Sequence, residues 1–141
     1  MAEEVFADSQ GWIALLNRSD QDHAAARETM RAYARDRRRI VTTDWILAET
    51  GNGLARSDAR AQFVEAIRRL QASASASIIR VNDKYFERAL DMFKRASDKN
   101  WGLVDCSSFV VMRERGISEA FTNDHHFVQA GFSCSLSEPR P

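Results

Sequence analysis

Ile40-Val41-Thr42-Thr43-Asp44-Trp45-Ile46-Leu47-Ala48-Glu49 reads as a strand that passes directly into a capped helix. Ile40, Val41 and Thr42 are β-branched and suit a pleated, half-buried surface. Thr43 or Asp44 supplies a short oxygen to cap the backbone N–H groups that follow, and the helix runs towards Arg56. A strand delivered straight into a helix is half of a β-α-β unit, and the rest of the chain repeats the pattern.

Upstream, Val5-Phe6-Ala7 is a short apolar strand, and Gly11 to Leu16 forms a brief helix. Ser19 or Asp20 caps a longer helix through about Arg38, with Ala24, Ala25, Met30, Ala32 and Ala34 along it. Arg37, Arg38 and Arg39 close it at the negative end of the helix dipole. Downstream, Ser57 begins a helix with Phe63, Ile67 and Leu70 at i, i+4 and i+7. Alternating Ala and Ser from Ala72 to Ser77 read as a connection, and Ile78 to Val81 as a third strand. Asn82 caps a helix with Phe86, Leu90 and Phe93 on one stripe. Leu103 to Arg115 is helical and stops at Gly116. Glu119 to Thr122 is a fourth strand, His125 to Ala130 a helical turn, and Phe132 to Leu136 a final edge strand.

Strands alternating with helices imply parallel pairing through right-handed crossovers. The expected fold is therefore a three-layer α/β/α sandwich around a central parallel sheet of four to five strands. Such sheets place their sites at the carboxyl ends of the strands. At 141 residues, with 44% hydrophobic and 28% charged, the chain fits one domain with a real core, expected over residues 1–136, with residues 137–141 as a frayed tail. Twenty basic and twenty acidic residues cancel, so any nucleic-acid affinity must come from local patches. Cys106 and Cys134 lack zinc-ligand spacing. The residues MAEEVFADS carry no hydrophobic signal core, and no apolar run approaches the roughly 20 residues that span a bilayer. A cytoplasmic protein with reduced thiols and no membrane partner is expected.

Four carboxylates stand apart from the other charges. Asp8 is the sole formal charge between Glu4 and Arg18, and Glu49 between Asp44 and Arg56. Asp105 is alone between Lys99 and Arg113, and Asp124 between Glu119 and Glu138 with its histidines neutral. Asp8 and Asp124 follow predicted strand ends, and Asp105 shares a helical face with Phe109 and Met112. Burying one unpaired carboxylate costs several kcal/mol, and four together repel. A divalent cation removes that penalty.

Each acid also has an ordinary reading. Asp8 and Asp105 could cap helices, Asp124 could begin a turn with Asn123, and Glu49 could lie partly exposed on a bent helix. Four isolated acids, two at matching strand ends, are explained jointly by a metal centre. Hard cations held by carboxylates lower the pKa of a bound water and polarise an electrophile. Ser9, Thr122 and His126 flank the acids as supporting candidates, although Ser9 and Thr122 also suit local turn bonds and His126 a helix start. His23 and the Arg35 to Arg39 run read as surface, and Trp12, Trp45 and Trp101 as core or interface anchors.

On these residues the chain resembles the PIN domain, and within it the VapC-type toxins. Val5-Phe6-Ala7-Asp8-Ser9 with Trp12-Ile13-Ala14-Leu15-Leu16-Asn17 and Asp22-His23 is similar to the first motif of that family, and Trp45-Ile46-Leu47-Ala48-Glu49 to the second. Ser97 to Phe109, containing Asp98, Trp101 and Asp105, resembles the third. Thr122-Asn123-Asp124-His125-His126-Phe127, then Ala130-Gly131-Phe132, resembles the fourth, a T-x-D-x-H-F pattern. The resemblance implies an Mg²⁺- or Mn²⁺-dependent endoribonuclease with catalytic Asp8, Glu49, Asp105 and Asp124, of which Asp8, Asp105 and Asp124 hold metal. Asp98 matches an additional acid, and a surface salt bridge with Arg95 or Lys99 is its ordinary alternative. Gly51 and Gly53 depart from the pattern by weakening the helix that carries Glu49. The implied partners are an RNA substrate, a cognate antitoxin and a second copy of the chain. A PIN-type RNA-processing nuclease that is no toxin, and a silent PIN-fold binding module, are the alternatives. A phosphatase-like domain would want a D-x-D pair that Asp8-Ser9-Gln10 lacks.

Overall fold

The computed structural model describes residues 3–137. The tail expected at 137–141 lies outside the described residues beyond Ser137.

In chain order the elements are β1 Glu4–Ala7, α1 Ser9–Leu16, α2 His23–Arg35, β2 Arg39–Thr43 and α3 Asp44–Leu54. They continue as α4 Arg60–Ala72, β3 Ala76–Ile79, α5 Asp83–Arg95, α6 Leu103–Arg115, β4 Glu119–Phe121, α7 His125–Gln129 and β5 Ser133–Cys134. The five strands are all parallel, in the order β3-β2-β1-β4-β5, and helices flank the sheet as the middle of three layers. The sheet grows from β1 through β2 to β3, then the chain crosses to the other side of β1 for β4 and β5. The strand order therefore reverses between β1 and β4, where doubly wound sheets open a crevice at their carboxyl ends.

The core is centred on that pair. Val5, Phe6, Ala7, Ala120 and Phe121 are fully buried, as strands covered on both faces must be. Phe109 packs edge-to-face on Phe127 with ring centroids 4.9 Å apart. Trp12 is core and meets Phe121 edge-on. Half-buried Trp45 and Trp101 make similar contacts with Phe86 and Phe109.

Several boundaries differ from the expected ones, each for a local reason. Helix α1 begins at Ser9, two residues before Gly11. Helix α2 starts only at His23, because the Asp20 carboxylate accepts from the Asp22 N–H in a turn instead of capping the helix. It ends at Arg35, where Arg37 at φ +54° turns the chain towards β2. Arg38 is thus outside the helix, half-buried against Glu119 at 3.4 Å and over the Tyr33 ring. His23 is not purely a surface residue, since its Nδ1 lies 2.9 Å from the Ala14 carbonyl.

Helix α4 starts at Arg60, because the Ser57 hydroxyl accepts from Ala59 N–H and donates to the Leu54 carbonyl. Strand β3 lies two residues earlier than expected, inside the Ala/Ser run, pairing Ile40 with Ala76 and Thr43 with Ile79. Val81 cannot extend it, because its N–H donates to Asp44 Oδ1. On α5 the inward stripe is Tyr85, Ala89 and Met92, while Leu90 and Phe93 are exposed. Helix α3 runs unbroken through Gly51 and Gly53. These glycines make room for neighbours, since a Cβ on Gly51 would crowd the Phe63 ring and one on Gly53 the Ile13 side chain. Among the described residues no helix is long and apolar enough to cross a membrane.

Candidate metal centre

The crevice at the strand reversal is built by two chain segments laced together. Asp8 leaves β1 in extended conformation at the N-cap position of α1, yet its side chain makes no capping bond there. Its carboxylate Oδ2 instead accepts a 2.8 Å hydrogen bond from the Thr122 hydroxyl, just past β4. Thr122 Oγ1 in turn accepts from the Asp124 N–H at 3.1 Å, and the Asp8 N–H donates to the Phe121 carbonyl. One hydroxyl thereby aims Asp8 and fixes the turn that carries Asp124. A second tie, 2.6 Å from the Asn123 amide to Asp22, braces that turn from α2.

Asp124 sits at the N-cap of α7, and its Oδ1 accepts from the His126 N–H. Asp105 is the third residue of α6, and its Oδ2 accepts from Gly102 N–H at 3.0 Å. The capping and ligand readings of these two acids are therefore compatible, because each capping bond leaves the second carboxylate oxygen available. Three acids also stand at helix N-termini, whose partial positive charge favours anions. Glu49 differs from the expectation of burial. It is solvent-exposed on α3, and the Ser9 hydroxyl, itself buried, donates to Glu49 Oε1 and holds it over the crevice.

Electrostatics identify the four as one group. Burial pushes the Asp8 carboxyl from its ordinary 3.8 up to about 7; the Thr122 hydroxyl opposes this, and the charges of Asp124 and Glu49 add to it. Burial likewise raises the Asp105 carboxyl; the Gly102 N–H and His126 oppose it, while Asp124 and Glu49 again push upward. Like charges gathered in a crevice that penalises charge are the pattern of a site completed by a cation.

His126 strengthens that fit. Its Nδ1 is buried without a hydrogen-bond partner, 3.3 Å from Asp124 Oδ1 and 3.4 Å from Asp105 Oδ2. Hard carboxylate oxygens with an orphaned nitrogen between two of them suit a divalent ion. Asp98 is exposed and pairs with Lys99 at 3.4 Å; among the described residues no hydrogen bond ties it to the four acids. Two neighbours escape the sequence reading. His125 brings a ring nitrogen beside Asp124 and His126, and Cys134 Sγ lies 3.6 Å from the Asp124 carbonyl. An adjacent histidine pair next to a strand-end acid was the visible signal for the first; nothing in the sequence marked the second. Both cysteines are free thiols.

Residues 5–133 match the model of the PIN domain. The chain is 33% identical over 128 residues to the 23S rRNA-specific endonuclease VapC20 of two Mycobacterium tuberculosis strains, covering 91% of this chain and 95% of the relative. The crystal structure of Mycobacterium tuberculosis VapC20, a sarcin-ricin loop cleaving toxin, superposes with a TM-score of 0.80 at 31% identity. That match covers 97% of this chain and 99% of the other.

Proposed function

The chain belongs to the PIN-domain family, and from that premise we propose that it is a divalent-metal-dependent endoribonuclease and the toxin of a toxin–antitoxin pair. The observation that carries this reading is the convergence of Asp8, Asp105, Asp124 and Glu49 on the strand reversal, with the Asp8 carboxyl pushed to about 7. The nuclease domain is taken as residues 1–136, and the metal as Mg²⁺ or Mn²⁺. The relatives' names suggest a structured ribosomal RNA hairpin as substrate.

Asp8, Asp105 and Asp124 would hold the ion, and Glu49 would complete the site from α3. A bound divalent cation supplies positive charge that polarises the phosphodiester and lowers the pKa of water. The chain's own residues do the positioning. Thr122 holds one Asp8 oxygen and so turns the other towards the crevice. Ser9 holds one Glu49 oxygen, leaving the second free to orient or accept a proton from the attacking water. Asp8 would have to be ionised to hold a cation, and burial keeps its carboxyl protonated to about 7 without one.

Partner proposals follow the same premise. An apolar groove of about 480 Å³ between α1, α2 and α4, lined by Leu15, Met30, Ala66 and Leu70, suits the apolar side chains of an antitoxin segment. Exposed Leu90 and Phe93 on α5 support a homodimer. The test is cleavage of a labelled RNA panel that includes a sarcin-ricin hairpin, with and without Mg²⁺. Metal-dependent cutting that leaves 5′-phosphate and 3′-hydroxyl ends, and is abolished in Asp8→Asn, is expected. Products ending in 2′,3′-cyclic phosphate would overturn the mechanism.

A further inference from the structure

Among the described residues, the side chains whose ligand atoms come within 4.8 Å of one another are those of Asp124, His125 and His126. Two of the three are nitrogen donors that a purely carboxylate site leaves without a role. His126 has the more constrained position. Its backbone N–H is bonded to Asp124 Oδ1, and the next residue, Phe127, is anchored in the core. Its Nδ1 is buried and unpaired, at 3.3 Å from Asp124 Oδ1 and 3.4 Å from Asp105 Oδ2.

A buried polar atom without a partner costs free energy, so this nitrogen calls for one. A direct N–H···O bond to either acid would answer, but neither contact meets hydrogen-bond geometry. A cation shared by Nδ1 and the Asp124 carboxylate answers better. Ligands about 2.1 Å from one ion lie about 3.0 Å apart at octahedral edges and about 3.4 Å at tetrahedral ones. The 3.3 Å between His126 Nδ1 and Asp124 Oδ1 falls within that range.

The geometry points to His126 Nδ1 as a nitrogen ligand of the cation held by Asp124, giving a mixed nitrogen–oxygen site that favours first-row transition ions over Mg²⁺. This rests on the metal-centre reading above and adds the donor type and the ion preference. Mg²⁺ is hard, keeps oxygen ligands and dehydrates reluctantly. Imidazole suits transition ions, whose affinities rise from Mn²⁺ upward, so Mn²⁺ is the most demanding probe of the preference. His125 is exposed and stacks at a tilt on His126, 4.7 Å between ring centroids, which makes it the control.

The experiment titrates the full chain with Mn²⁺, reads free Mn²⁺ by electron paramagnetic resonance, and measures displacement by Mg²⁺. Pulsed spectra of the loaded wild type should carry ¹⁴N coupling from a directly bound imidazole, a result that needs no variant to fold. His126→Gln should abolish that coupling and lower the Mn²⁺-to-Mg²⁺ affinity ratio roughly tenfold or more, while His125→Gln changes neither. Tight Mn²⁺ binding with no ¹⁴N coupling overturns the nitrogen ligand and leaves the carboxylate centre standing. Coupling that survives His126→Gln but is lost in His125→Gln overturns the assignment to His126. Failure of the wild type to bind Mn²⁺ at all defeats the metal-centre reading itself.

Discussion

At the scale of the residue, Asp8 carries the clearest conflict between stability and function. It is 2% exposed, and its carboxyl holds a proton to about pH 7 in the folded chain, whereas an unfolded chain gives it up near 4. Between those values the folded state binds more protons, so without a cation stability falls as pH rises through the window and the loss is complete above about 7. Asp8→Asn should therefore flatten that slope and, in chelator at pH 8, raise the unfolding temperature by several degrees, since a shift of this size is on the order of a few kcal/mol. Thermal unfolding across pH measures it, and a variant less stable than wild type at pH 8 would contradict the burial argument. Thr122→Val tests the partner. Losing the hydroxyl removes the bond that holds the Asp8 carboxyl down, so the acid limb of the cleavage profile should move to higher pH. The Asp124 N–H also loses its acceptor, and destabilisation of about 1–3 kcal/mol should accompany the shift in denaturant titrations.

At the scale of the element, close approach decides more than propensity does. Helix α1 lies so near the end of β4 that a Cβ on Gly11 would collide with the Phe121 carbonyl oxygen. That oxygen accepts from the Asp8 N–H and precedes Thr122, so forcing α1 away disturbs both halves of the crevice. Gly11→Ala should cost about 2–3 kcal/mol and depress cleavage, as overpacking against backbone does. Gly116 is the contrast: its φ of +68° ends α6 with open space around it. Gly116→Ala should cost only about 1 kcal/mol, with specific activity unchanged. Equal losses of activity in the two variants would show that the α1–β4 contact does not set the site.

At the scale of the whole molecule, the proposed cation would complete a site whose gathered carboxylates folding alone leaves uncompensated. Divalent metal at about 100 times its dissociation constant should stabilise the chain by about 2.7 kcal/mol, seen as a rise in unfolding temperature. That rise should vanish in Asp8→Asn combined with Asp105→Asn, whose metal-free fold should remain intact. If the double variant is stabilised equally, the ion binds elsewhere. Expression in a bacterial host should arrest growth and co-expression of the cognate antitoxin relieve it, whereas an RNA-processing nuclease would leave growth unaffected.

What the sequence determined by itself was whatever short-range geometry controls. Thr43 and Asn82 cap their helices as the residues three positions on require, and Gly116 stops α6. The alternation of strands and helices, and four acids set apart from other charge, were likewise legible, because hydrophobic period and isolation are properties of neighbours in the chain. The misplaced starts of α2 and α4 are also local: Asp20 and Ser57 spent their oxygens in turns, and both helices begin without a side-chain cap. Only the tertiary structure decided the rest. The end of β3 depends on Asp44 capturing the Val81 N–H, 37 residues away. Ser9 holding Glu49 across 40 residues and Thr122 holding Asp8 across 114 depend on strand order, as does the seat of His126 between Asp105 and Asp124. Such contacts form only when the sheet reverses at β1 and β4, and no local pattern encodes which hydroxyl or ring nitrogen that reversal brings to each carboxylate.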